Sequence, residues 1–323
     1  MRVSNLGVYL SLNILFCVHG YVNDVWNNNN NVEGSGAHSI ELTQSLNLAR
    51  QEWIQEACRR RPPRGGLAEL PPSQLDHILV SEKHKLLYCY VPKVACTNWK
   101  RTLMILEGKW NSTDVLSIPA NLSHSMGMFR NLSSVPPEQR DYMLENYHKM
   151  IIVRNPFERL LSAYRNKLEG DSISAKYFQD RVGRRIIKAF RHNPSNESLE
   201  FGDDVSFEEF AQFLAAAPAE LADVARNEHW QPVASLCHPC RVNYTLVGKY
   251  ETLVDDALLA LHTINASHIQ FPRLARTSGT ADKLRNYYSL LQLPLIRKLY
   301  KLYKDDFRIF NYDLKNIIGF DLG

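Results

Sequence analysis

Two short apolar runs in the middle of the chain each lead into a helical pattern. The first run, residues 86–91, consists mainly of residues that favour β-strands, and beyond a short loop Trp99, Leu103 and Leu106 recur at i, i+4 and i+7. This spacing places three apolar side chains on one face of a helix. The pattern therefore predicts a buried strand, a loop over residues 92–98 and an amphipathic helix.

The second run, residues 150–153, is followed at once by a strong helix start. Asn155 is suited to the N-cap, Pro156 to the first helical position, and Glu158 to the return hydrogen bond of a capping box. Arg154 lies at the junction between the strand and the helix. Apolar residues recur on one side of this predicted helix, at Leu160, Leu161, Tyr164 and Leu168.

Strands that alternate with helical segments are typical of an α/β fold. Such folds have a central, mostly parallel sheet flanked by helices, and their ligands bind at the carboxyl ends of the strands. Both loops would then lie on the same edge of the sheet. We expect this fold class, in one compact domain over residues 75–323 of the 323-residue chain.

The amino-terminal part of the chain has a different character. Residues 1–22 contain Arg2 and then a mostly apolar run, which is typical of a cleaved signal peptide or of a short signal anchor. Residues 23–74 begin with a run of Asn and end in a segment rich in Arg and Pro, which indicates a stem. Either kind of leader directs the rest of the chain into the secretory lumen.

Sequons and cysteines bear on the compartment. Six Asn-X-Ser/Thr sequons exceed the number expected by chance and favour a lumenal glycoprotein. Cys237 and Cys240 have the spacing of half a zinc site or of a redox pair, but no second pair completes four ligands, so we favour a local disulfide or another structural role. The sequons begin at Asn111, Asn121, Asn131, Asn196, Asn243 and Asn265.

Composition and charge narrow the function classes. A hydrophobic fraction of 45% excludes disorder over most of the chain, and no apolar run after residue 22 is long enough for a polytopic membrane protein. The net charge is +4, yet residues 154–191 alone carry ten Lys and Arg against four Asp and Glu. This local excess indicates an anionic ligand or else a solvated helix face. Nucleic acid binding is not expected from so modest a charge.

The position of the two loops determines their expected chemistry. A loop between a buried strand and a helix N-terminus presents free amides and the positive end of the helix dipole, which bind phosphate or sulfate. Lys93, Thr97 and Asn98 add a cation and two hydrogen-bonding groups, without the glycines and Gly-Lys-Ser/Thr ending of a Walker A loop. Arg154 and Ser162, about two helical turns apart, are placed to hold one phosphate. An ordinary P-loop kinase is disfavoured.

Both loops also carry a family resemblance. Tyr88-Cys-Tyr-Val-Pro-Lys-Val-Ala-Cys-Thr-Asn-Trp-Lys-Arg101 resembles the 5′-phosphosulfate loop of the Golgi carbohydrate sulfotransferases of the HNK-1 type (sulfotransferase 2 family), and most of all the chondroitin 4-O-sulfotransferases. Val153-Arg-Asn-Pro-Phe-Glu-Arg-Leu-Leu-Ser-Ala-Tyr-Arg-Asn-Lys167 resembles their 3′-phosphate motif, with Asn155 where the family is expected to have an acidic residue. The similarity covers residues 75–311 and includes Gly202-Asp-Asp204, Asn227-Glu-His-Trp230, Leu236-Cys-His-Pro-Cys240 and Val247-Gly-Lys-Tyr-Glu-Thr-Leu253.

The resemblance implies a P-loop-like sulfotransferase fold and the transfer of a sulfuryl group from 3′-phosphoadenylyl sulfate to a sugar hydroxyl, without a metal. Lys93 would be catalytic, because it would neutralise charge on the leaving oxygens. The cofactor-binding residues that the resemblance implies are Pro92, Lys93, Val94, Ala95, Cys96, Thr97 and Asn98 in the first loop, and Arg154, Asn155, Pro156, Phe157, Glu158, Arg159, Leu160, Leu161 and Ser162 in the second motif.

The acceptor and compartment are likewise implied by the resemblance. The implied acceptor is position 4 of N-acetylgalactosamine in chondroitin, which is a glycosaminoglycan. The implied compartment is the Golgi membrane, with a single-pass type II anchor and a lumenal catalytic domain. Dermatan and the terminal N-acetylgalactosamine of N-glycans are alternative acceptors, and a secreted form is the alternative if the leader is cleaved. Five basic residues after residue 180 form either a track for a polyanionic acceptor or the charged face of a surface helix. They are Arg181, Arg184, Arg185, Lys188 and Arg191.

The acceptor hydroxyl needs a general base, and histidine is the side chain best matched to neutral pH. We predict His124, because related sulfotransferases carry a candidate histidine at a comparable distance after the phosphosulfate loop. His229 is the second candidate base, and Glu228 is the third.

Two other classes of function compete with this prediction. A glycosaminoglycan-binding protein without catalysis does not explain why Lys93 and Arg154 occur in two nucleotide-type loops. A secretory-pathway kinase would need carboxylates for Mg²⁺, which the sequence does not mark. Binding of adenosine 3′,5′-bisphosphate distinguishes the first class, and dependence on a divalent metal distinguishes the second.

Overall fold

The computed structural model describes residues 36–216, 218–273 and 280–314. The predicted leader, residues 1–22, lies outside the described residues, as does the first part of the predicted stem. The chain divides into a unit of residues 1–42 and a unit of residues 43–323, and all the described strands belong to the second unit. No helix of the described residues is long and apolar enough to cross a membrane.

A five-stranded sheet forms the centre of this second unit, in the order β3-β1-β2-β4-β5. β2, β4 and β5 are parallel, whereas β1 pairs antiparallel with β2 and β3. The α/β class with a mostly parallel sheet is confirmed. The strands are β1 (Ile78–Ser81), β2 (Leu86–Cys89), β3 (Arg130–Asn131), β4 (His148–Val153) and β5 (Leu246–Lys249).

Helices flank this sheet, and most of the chain between the strands is helical. They are α1 (Gly36–Arg60), α2 (Cys96–Leu106), α3 (Pro137–Asn146), α4 (Pro156–Lys167), α5 (Ile173–Phe178), α6 (Arg184–Phe190), α7 (Asn196–Phe201), α8 (Phe207–Ala216), α9 (Ala222–Ala225), α10 (Val233–Cys237), α11 (Leu253–Thr263), α12 (Thr280–Tyr288) and α13 (Leu293–Ile309).

The strand register brings the two predicted loops together. Cys89 of β2 lies opposite Ile151 of β4, and Val153 of β4 lies opposite Lys249 of β5. The carboxyl ends of the three parallel strands therefore meet at one edge of the sheet. The loop before α2 and the junction before α4 both leave from this edge, as the sequence predicts.

The start of α4 is confirmed in part. The Asn155 side-chain oxygen accepts hydrogen bonds from the amides of Phe157 (3.0 Å) and Glu158 (3.4 Å), so Asn155 is the N-cap. The predicted capping box is wrong. Glu158 accepts a hydrogen bond from Arg154 instead, and the amide of Asn155 donates to Glu251 (3.2 Å), because the carboxylate of the next loop occupies the capping position.

The apolar face of α4 is buried against the carboxyl-terminal helices. The Phe157 ring stacks on Tyr288 at 4.7 Å and meets the edge of Phe307 at 5.3 Å. The Tyr288 hydroxyl also donates to the Phe157 carbonyl (3.0 Å). α12 and α13 thus fix α4, and with it Arg154, against the sheet edge.

Helix α1 covers the open edge of β5. The Asn47 side chain donates to the carbonyl of Thr245 (3.0 Å) and accepts from the amide of Val247 (2.8 Å), much as a neighbouring strand would. Arg50 donates to the Val247 carbonyl (2.9 Å) and pairs with Asp256 (2.7 Å). The folded unit therefore includes residues 43–60, which the sequence assigned to the stem, because polar side chains along this helix replace a sixth strand.

The cysteine pairing corrects the sequence interpretation. Cys58 is bonded to Cys240, and Cys89 is bonded to Cys237. The expected local disulfide between Cys237 and Cys240 is therefore wrong, because these two side chains bond to different partners, whereas the alternative of another structural role is confirmed for both. Cys96, in the first loop, is a free thiol.

Candidate active site

A cavity of about 730 Å³ opens at the carboxyl edge of β2, β4 and β5. Its volume lies within the range typical of small-molecule and cofactor sites. Side chains from both predicted loops line it together: Pro92, Lys93, Ala95, Cys96, Thr97, Asn98, Arg154 and Ser162.

The first loop turns sharply into α2. Lys93 and Ala95 both have left-handed backbone conformations, with φ of 73° and 63°. The Ala95 carbonyl accepts hydrogen bonds from the amides of Asn98 (3.1 Å) and Trp99 (3.2 Å), and no side chain caps the start of the helix. The first amides of α2 are therefore placed for an anionic ligand rather than for a side-chain cap.

Lys93 is the most strongly perturbed cation of the cavity. Burial is the main cause that lowers the pKa of its ammonium to about 8, and the positive charges of Lys167 and Arg154 lower it further. The charged form of Lys93 is therefore short of solvation at neutral pH. An anionic ligand would supply the missing stabilisation.

Arg154 is held in a fixed orientation at the end of β4. It is 4% exposed, donates to Glu158 (3.2 Å) and to the Lys93 carbonyl (3.4 Å), and its guanidinium lies 4.1 Å from the centre of the Tyr250 ring. Ser162 lies two turns along α4 and also faces the cavity. Arg154 and Ser162, the pair that the sequence predicts to hold one phosphate group, therefore line the same cavity.

Arg159 differs from the expectation for the second motif, because it does not line the cavity. Its side chain is 1% exposed and donates to the carbonyls of Pro92 (3.0 Å), Glu228 (2.8 Å) and Gln231 (2.7 Å). The guanidinium thereby joins the first loop to the segment that carries His229. This link supports the structure of the site. The partners of Arg159 are distant in the sequence, so no local pattern could have predicted these hydrogen bonds.

Seven other residues with an implied cofactor role also lie outside the cavity lining. The amphipathic helix α4 turns its apolar face into the core, so the side chains of Phe157, Leu160 and Leu161 have no access to a ligand. Val94 is fully buried as well. The other three, at the start of α4, are Asn155, Pro156 and Glu158.

His124 faces the cavity from a short 3₁₀ turn, Leu122–His124. Its Nε2 lies 2.9 Å from the Thr97 hydroxyl, which brings the predicted base into contact with the first loop. Burial lowers the pKa of His124, and the charges of Lys100 and Lys167 lower it further. The imidazole is therefore neutral at pH 7 and able to accept a proton.

His229 also lines the cavity, but its ring is a much weaker base. Its Nδ1 lies 2.8 Å from the side-chain oxygen of Asn227, which fixes this nitrogen as the protonated one. Burial, together with Lys167 and Lys93, lowers its pKa to about 2. A general base works best when its pKa lies near the operating pH, so the lowered pKa makes His229 the poorer candidate of the two.

The cavity has further polar lining that sequence reasoning did not assign. Lys100 follows Cys96 by one turn of α2, and Asn166 follows Ser162 by one turn of α4, so helical spacing from the motif residues was the available signal. The remaining polar members are Tyr90, Lys167, Ser174 and Tyr250; Ala120 also lines the cavity, and so does Glu228, which the sequence named as the third candidate base. Within the described part of the chain, no group of three or more His, Cys, Asp or Glu is arranged to hold a metal ion.

The basic segment after α5 is largely neutralised by its own neighbours. Val182 and Ile186 are buried, which confirms an amphipathic helical segment. Arg184 pairs with Asp180 (2.9 Å), and Arg185 pairs with Asp223 (2.8 Å). Arg191 likewise pairs with Glu209 (2.7 Å) and Asp204 (2.5 Å), so three of the five basic residues of the expected acceptor track are engaged. The structure therefore favours the alternative of a surface helix.

The α/β fold and the two strand-to-helix motifs that meet in one cavity at the sheet edge suit a group-transfer enzyme. The chain belongs to the sulfotransferase family, whose sequence model matches residues 76–313.

Individual relatives are carbohydrate sulfotransferases. The chain is 40% identical to carbohydrate sulfotransferase 11 of Rattus norvegicus over 288 residues, which cover 87% of this chain and 80% of that protein. It is 36% identical to carbohydrate sulfotransferase 14 of Danio rerio, over 85% of this chain and 73% of that protein. It is also 36% identical to carbohydrate sulfotransferase 8 of Homo sapiens, over 83% of this chain and 63% of that protein. No solved structure matches the chain significantly.

Proposed function

We propose that this protein transfers a sulfuryl group from 3′-phosphoadenylyl sulfate to position 4 of N-acetylgalactosamine in chondroitin. The observation that carries the proposal is the single cavity in which Lys93, Arg154, Ser162 and His124 meet. Lys93 comes from the first loop, and His124 comes from the 3₁₀ turn that contacts this loop. Arg154 and Ser162 come from the second motif. A binding protein without catalysis has no need for this combination.

The donor is proposed to lie along the edge of the sheet, between the two motifs. Lys93, Thr97, Asn98 and the first amides of α2 would hold its 5′ end, and Arg154 and Ser162 its 3′-phosphate. Fixed groups of this kind catalyse transfer by positioning the reactants and stabilising charge. Lys93 has the central role, because its poorly solvated ammonium gains most from negative charge on the leaving oxygen. The reaction is proposed to need no metal.

His124 is proposed to accept the proton of the acceptor hydroxyl at Nε2. This nitrogen is within hydrogen-bonding distance of the Thr97 hydroxyl, which an acceptor hydroxyl would replace as its partner. The lowered pKa of His124 keeps the ring neutral before the reaction. His229 is the second candidate base, and Glu228 is the third.

The acceptor assignment rests on the two motifs, which resemble those of the chondroitin 4-O-sulfotransferases, and on relatives named carbohydrate sulfotransferases. Dermatan and the terminal N-acetylgalactosamine of N-glycans are the alternative acceptors. We further propose a single-pass type II protein of the Golgi membrane with its catalytic domain in the lumen, or a secreted form if the leader is cleaved. The two disulfides suit an oxidising compartment. Exposed sequon asparagines such as Asn111 and Asn196 suit glycosylation in the secretory lumen.

Calorimetric binding of adenosine 3′,5′-bisphosphate to the full-length protein tests the donor site. We expect Lys93→Met and Arg154→Met each to weaken binding at least about tenfold, because each removes a charge-assisted contact with a phosphate. Lys301→Met, at an exposed position of α13, is the matched control and should bind like the parent protein. A parent protein that ignores the nucleotide but binds chondroitin would instead support a non-catalytic binding protein.

A further inference from the structure

Two ammonium groups of the cavity have no part in the proposed donor site. The described lining contains four cations, Lys93, Lys100, Arg154 and Lys167, and one carboxylate, Glu228. All four cations lie within the two motifs, but only Lys93 and Arg154 are assigned contacts with the donor. Lys100 and Lys167 leave an excess of positive charge in the part of the cavity that remains for the acceptor.

Lys100 is held against the cavity wall by an aromatic ring. Its Nζ lies 3.8 Å from the centre of the Tyr90 ring, and the Tyr90 hydroxyl donates to Glu228 (3.1 Å). In the part of the chain that the structure describes, Lys100 forms no ion pair with a carboxylate. A cation on a ring face keeps its charge available to an anion on its other side.

Lys167 ends helix α4 and is held in a similar way. Its Nζ donates to the Ser174 hydroxyl (2.7 Å) and lies 4.6 Å from the centre of the Phe178 ring. Both of these partners are neutral, and among the described residues Lys167 has no carboxylate within ion-pair distance. Its charge is therefore oriented but not neutralised.

Both ammonium groups share one cavity with the proposed base, since Lys100, Lys167 and His124 all line it. Lys100 lies one turn of α2 beyond Thr97, whose hydroxyl is 2.9 Å from His124. An acceptor hydroxyl at His124 would accordingly place the adjoining sugars in the part of the cavity that these two cations line.

We propose that Lys100 and Lys167 form a subsite for the carboxylate groups of the acceptor, so that the site selects uronate-containing chains over neutral glycans. This inference rests on the proposed function and names the chemical class of its acceptor. In chondroitin, uronic acids adjoin each internal N-acetylgalactosamine, so carboxylates flank the sugar that is modified. A glycan whose neighbouring sugars are neutral leaves both ammonium groups desolvated and unpaired, which costs affinity.

Glu228 opposes this attraction and must be counted with it. Its carboxylate accepts a hydrogen bond from the Tyr90 hydroxyl (3.1 Å). Burial lowers the pKa of the nearby His77, so this ring is neutral at pH 7 and does not cancel the charge of Glu228. Two ammonium groups then face one carboxylate. The balance for an incoming acceptor carboxylate is attractive.

The test measures binding and transfer with paired acceptors on the full-length protein. One acceptor is a desulfated chondroitin oligosaccharide, and the other is the same oligosaccharide with its uronate carboxyl groups reduced to alcohols. Binding to the protein saturated with adenosine 3′,5′-bisphosphate is measured by calorimetry, and transfer from the sulfate donor gives KM and kcat. The variants are Lys100→Met, Lys167→Met and Lys100→Arg, with Lys301→Met as the control and Lys188→Met as a probe of the basic segment.

Each Lys→Met change is expected to weaken chondroitin binding and raise its KM about tenfold or more, because a partly desolvated ion pair is lost. The reduced acceptor should bind both Met variants at least as tightly as the parent, because it loses no ion pair and no longer leaves an ammonium group unpaired. Lys100→Arg should recover most of the chondroitin affinity, and nucleotide binding should not change in any of these variants, which also shows that they are folded.

Several results would overturn the inference. Equal losses on both acceptors would show that the lysines do not recognise carboxylates. Weaker nucleotide binding would assign them to the donor, and a selective loss in Lys188→Met alone would assign the acceptor to the basic segment. In all three cases the parent protein still transfers sulfate, whereas a parent protein without transfer or nucleotide binding contradicts the proposed function itself.

Discussion

At the scale of single residues, Lys93 combines a chemical requirement with a cost in stability. Its ammonium is largely buried, its backbone is left-handed, and its charged neighbours in the cavity are mostly cations. Groups of this kind are typical of functional sites, because the surroundings that make them reactive also disfavour them in the unliganded fold.

Lys93→Met should therefore stabilise the unliganded protein while it weakens nucleotide binding. Burial lowers the folded-state pKa of Lys93 from 10.5 to about 8, so the charged form is disfavoured by folding. The cost is fully present below pH 8 and disappears as the pH rises towards 10.5, the value expected in the unfolded chain. At pH 7 we expect a melting temperature several degrees higher, from a gain on the order of 3 kcal/mol. An unchanged or lower melting temperature would contradict this account.

The pH dependence of kcat/KM for the donor should be bell-shaped. On the acid side activity falls as His124 becomes protonated, at a pH below its usual value of 6.5. On the alkaline side activity falls near pH 8 as Lys93 loses its proton. Saturation with the anionic donor favours the ammonium form, so the alkaline limb of kcat should lie at higher pH. Lys93→Arg should remove the alkaline limb, and a limb that persists in this variant would exclude Lys93 as its source.

Which residues could be predicted at this scale depended on local signals. Lys93, Thr97, Arg154 and Ser162 occur in continuous motifs, so their placement in one cavity followed from strand-to-helix geometry. Arg159 occurs in the same motif, yet its three carbonyl partners come from two other segments. The direction of so long a side chain is decided by tertiary packing, which the local pattern does not contain.

At the scale of elements, the edge of the sheet is completed by a helix rather than a strand. Asn47 bonds both Thr245 and Val247, and Arg50 adds a bond to Val247 and an ion pair with the buried Asp256. Asp256 in turn accepts the amide of Lys249, at the end of β5. Helix α1 thereby protects an edge that would otherwise expose unpaired backbone groups.

Asn47→Ala should consequently destabilise the fold. It leaves the Val247 amide without its partner and removes one bond to the Thr245 carbonyl, for a loss of about 2 kcal/mol. The measurement is the urea midpoint of unfolding, with Glu52→Ala, at an exposed position of the same helix, as the control. Equal midpoints for both variants would show that α1 does not support β5.

The two strand-to-helix units were predicted correctly because their patterns are strong. Residues 39–59 have helical spacing, and the helix is present as part of α1, but the pattern could not reveal its partner. The bonds from Asn47 and Arg50 span about two hundred residues of sequence. The stem boundary near residue 75 was placed at a change in composition, and composition does not register contacts of such long range.

At the scale of the whole molecule, two disulfides tie distant parts of the chain together. Cys58–Cys240 attaches the end of α1 to the turn after α10, and Cys89–Cys237 attaches β2 to α10 itself. Sequence separations of 182 and 148 residues make both bonds long-range constraints on the unfolded chain. No spacing rule could have identified these pairs.

Peptide mapping of the unreduced protein should recover these two linkages and a free Cys96. Mild reduction should lower the melting temperature, because each long-range bond contributes several kcal/mol of stability, typically about 2–4. Cys96→Ser serves as the control and should leave both linkages intact. A peptide that contains a Cys237–Cys240 bond would contradict the structure.

The most direct test of the central claim is transfer of radiolabelled sulfate from 3′-phosphoadenylyl sulfate to desulfated chondroitin by the full-length protein. Desulfated dermatan and an N-glycan with terminal N-acetylgalactosamine are assayed beside it. Disaccharide analysis should find the label at position 4 of N-acetylgalactosamine in chondroitin, and Lys93→Ala should abolish transfer. Label that appears on another acceptor would retain the enzyme class and overturn the acceptor. Transfer that persists undiminished in Lys93→Ala, or no transfer to any acceptor, would contradict the account.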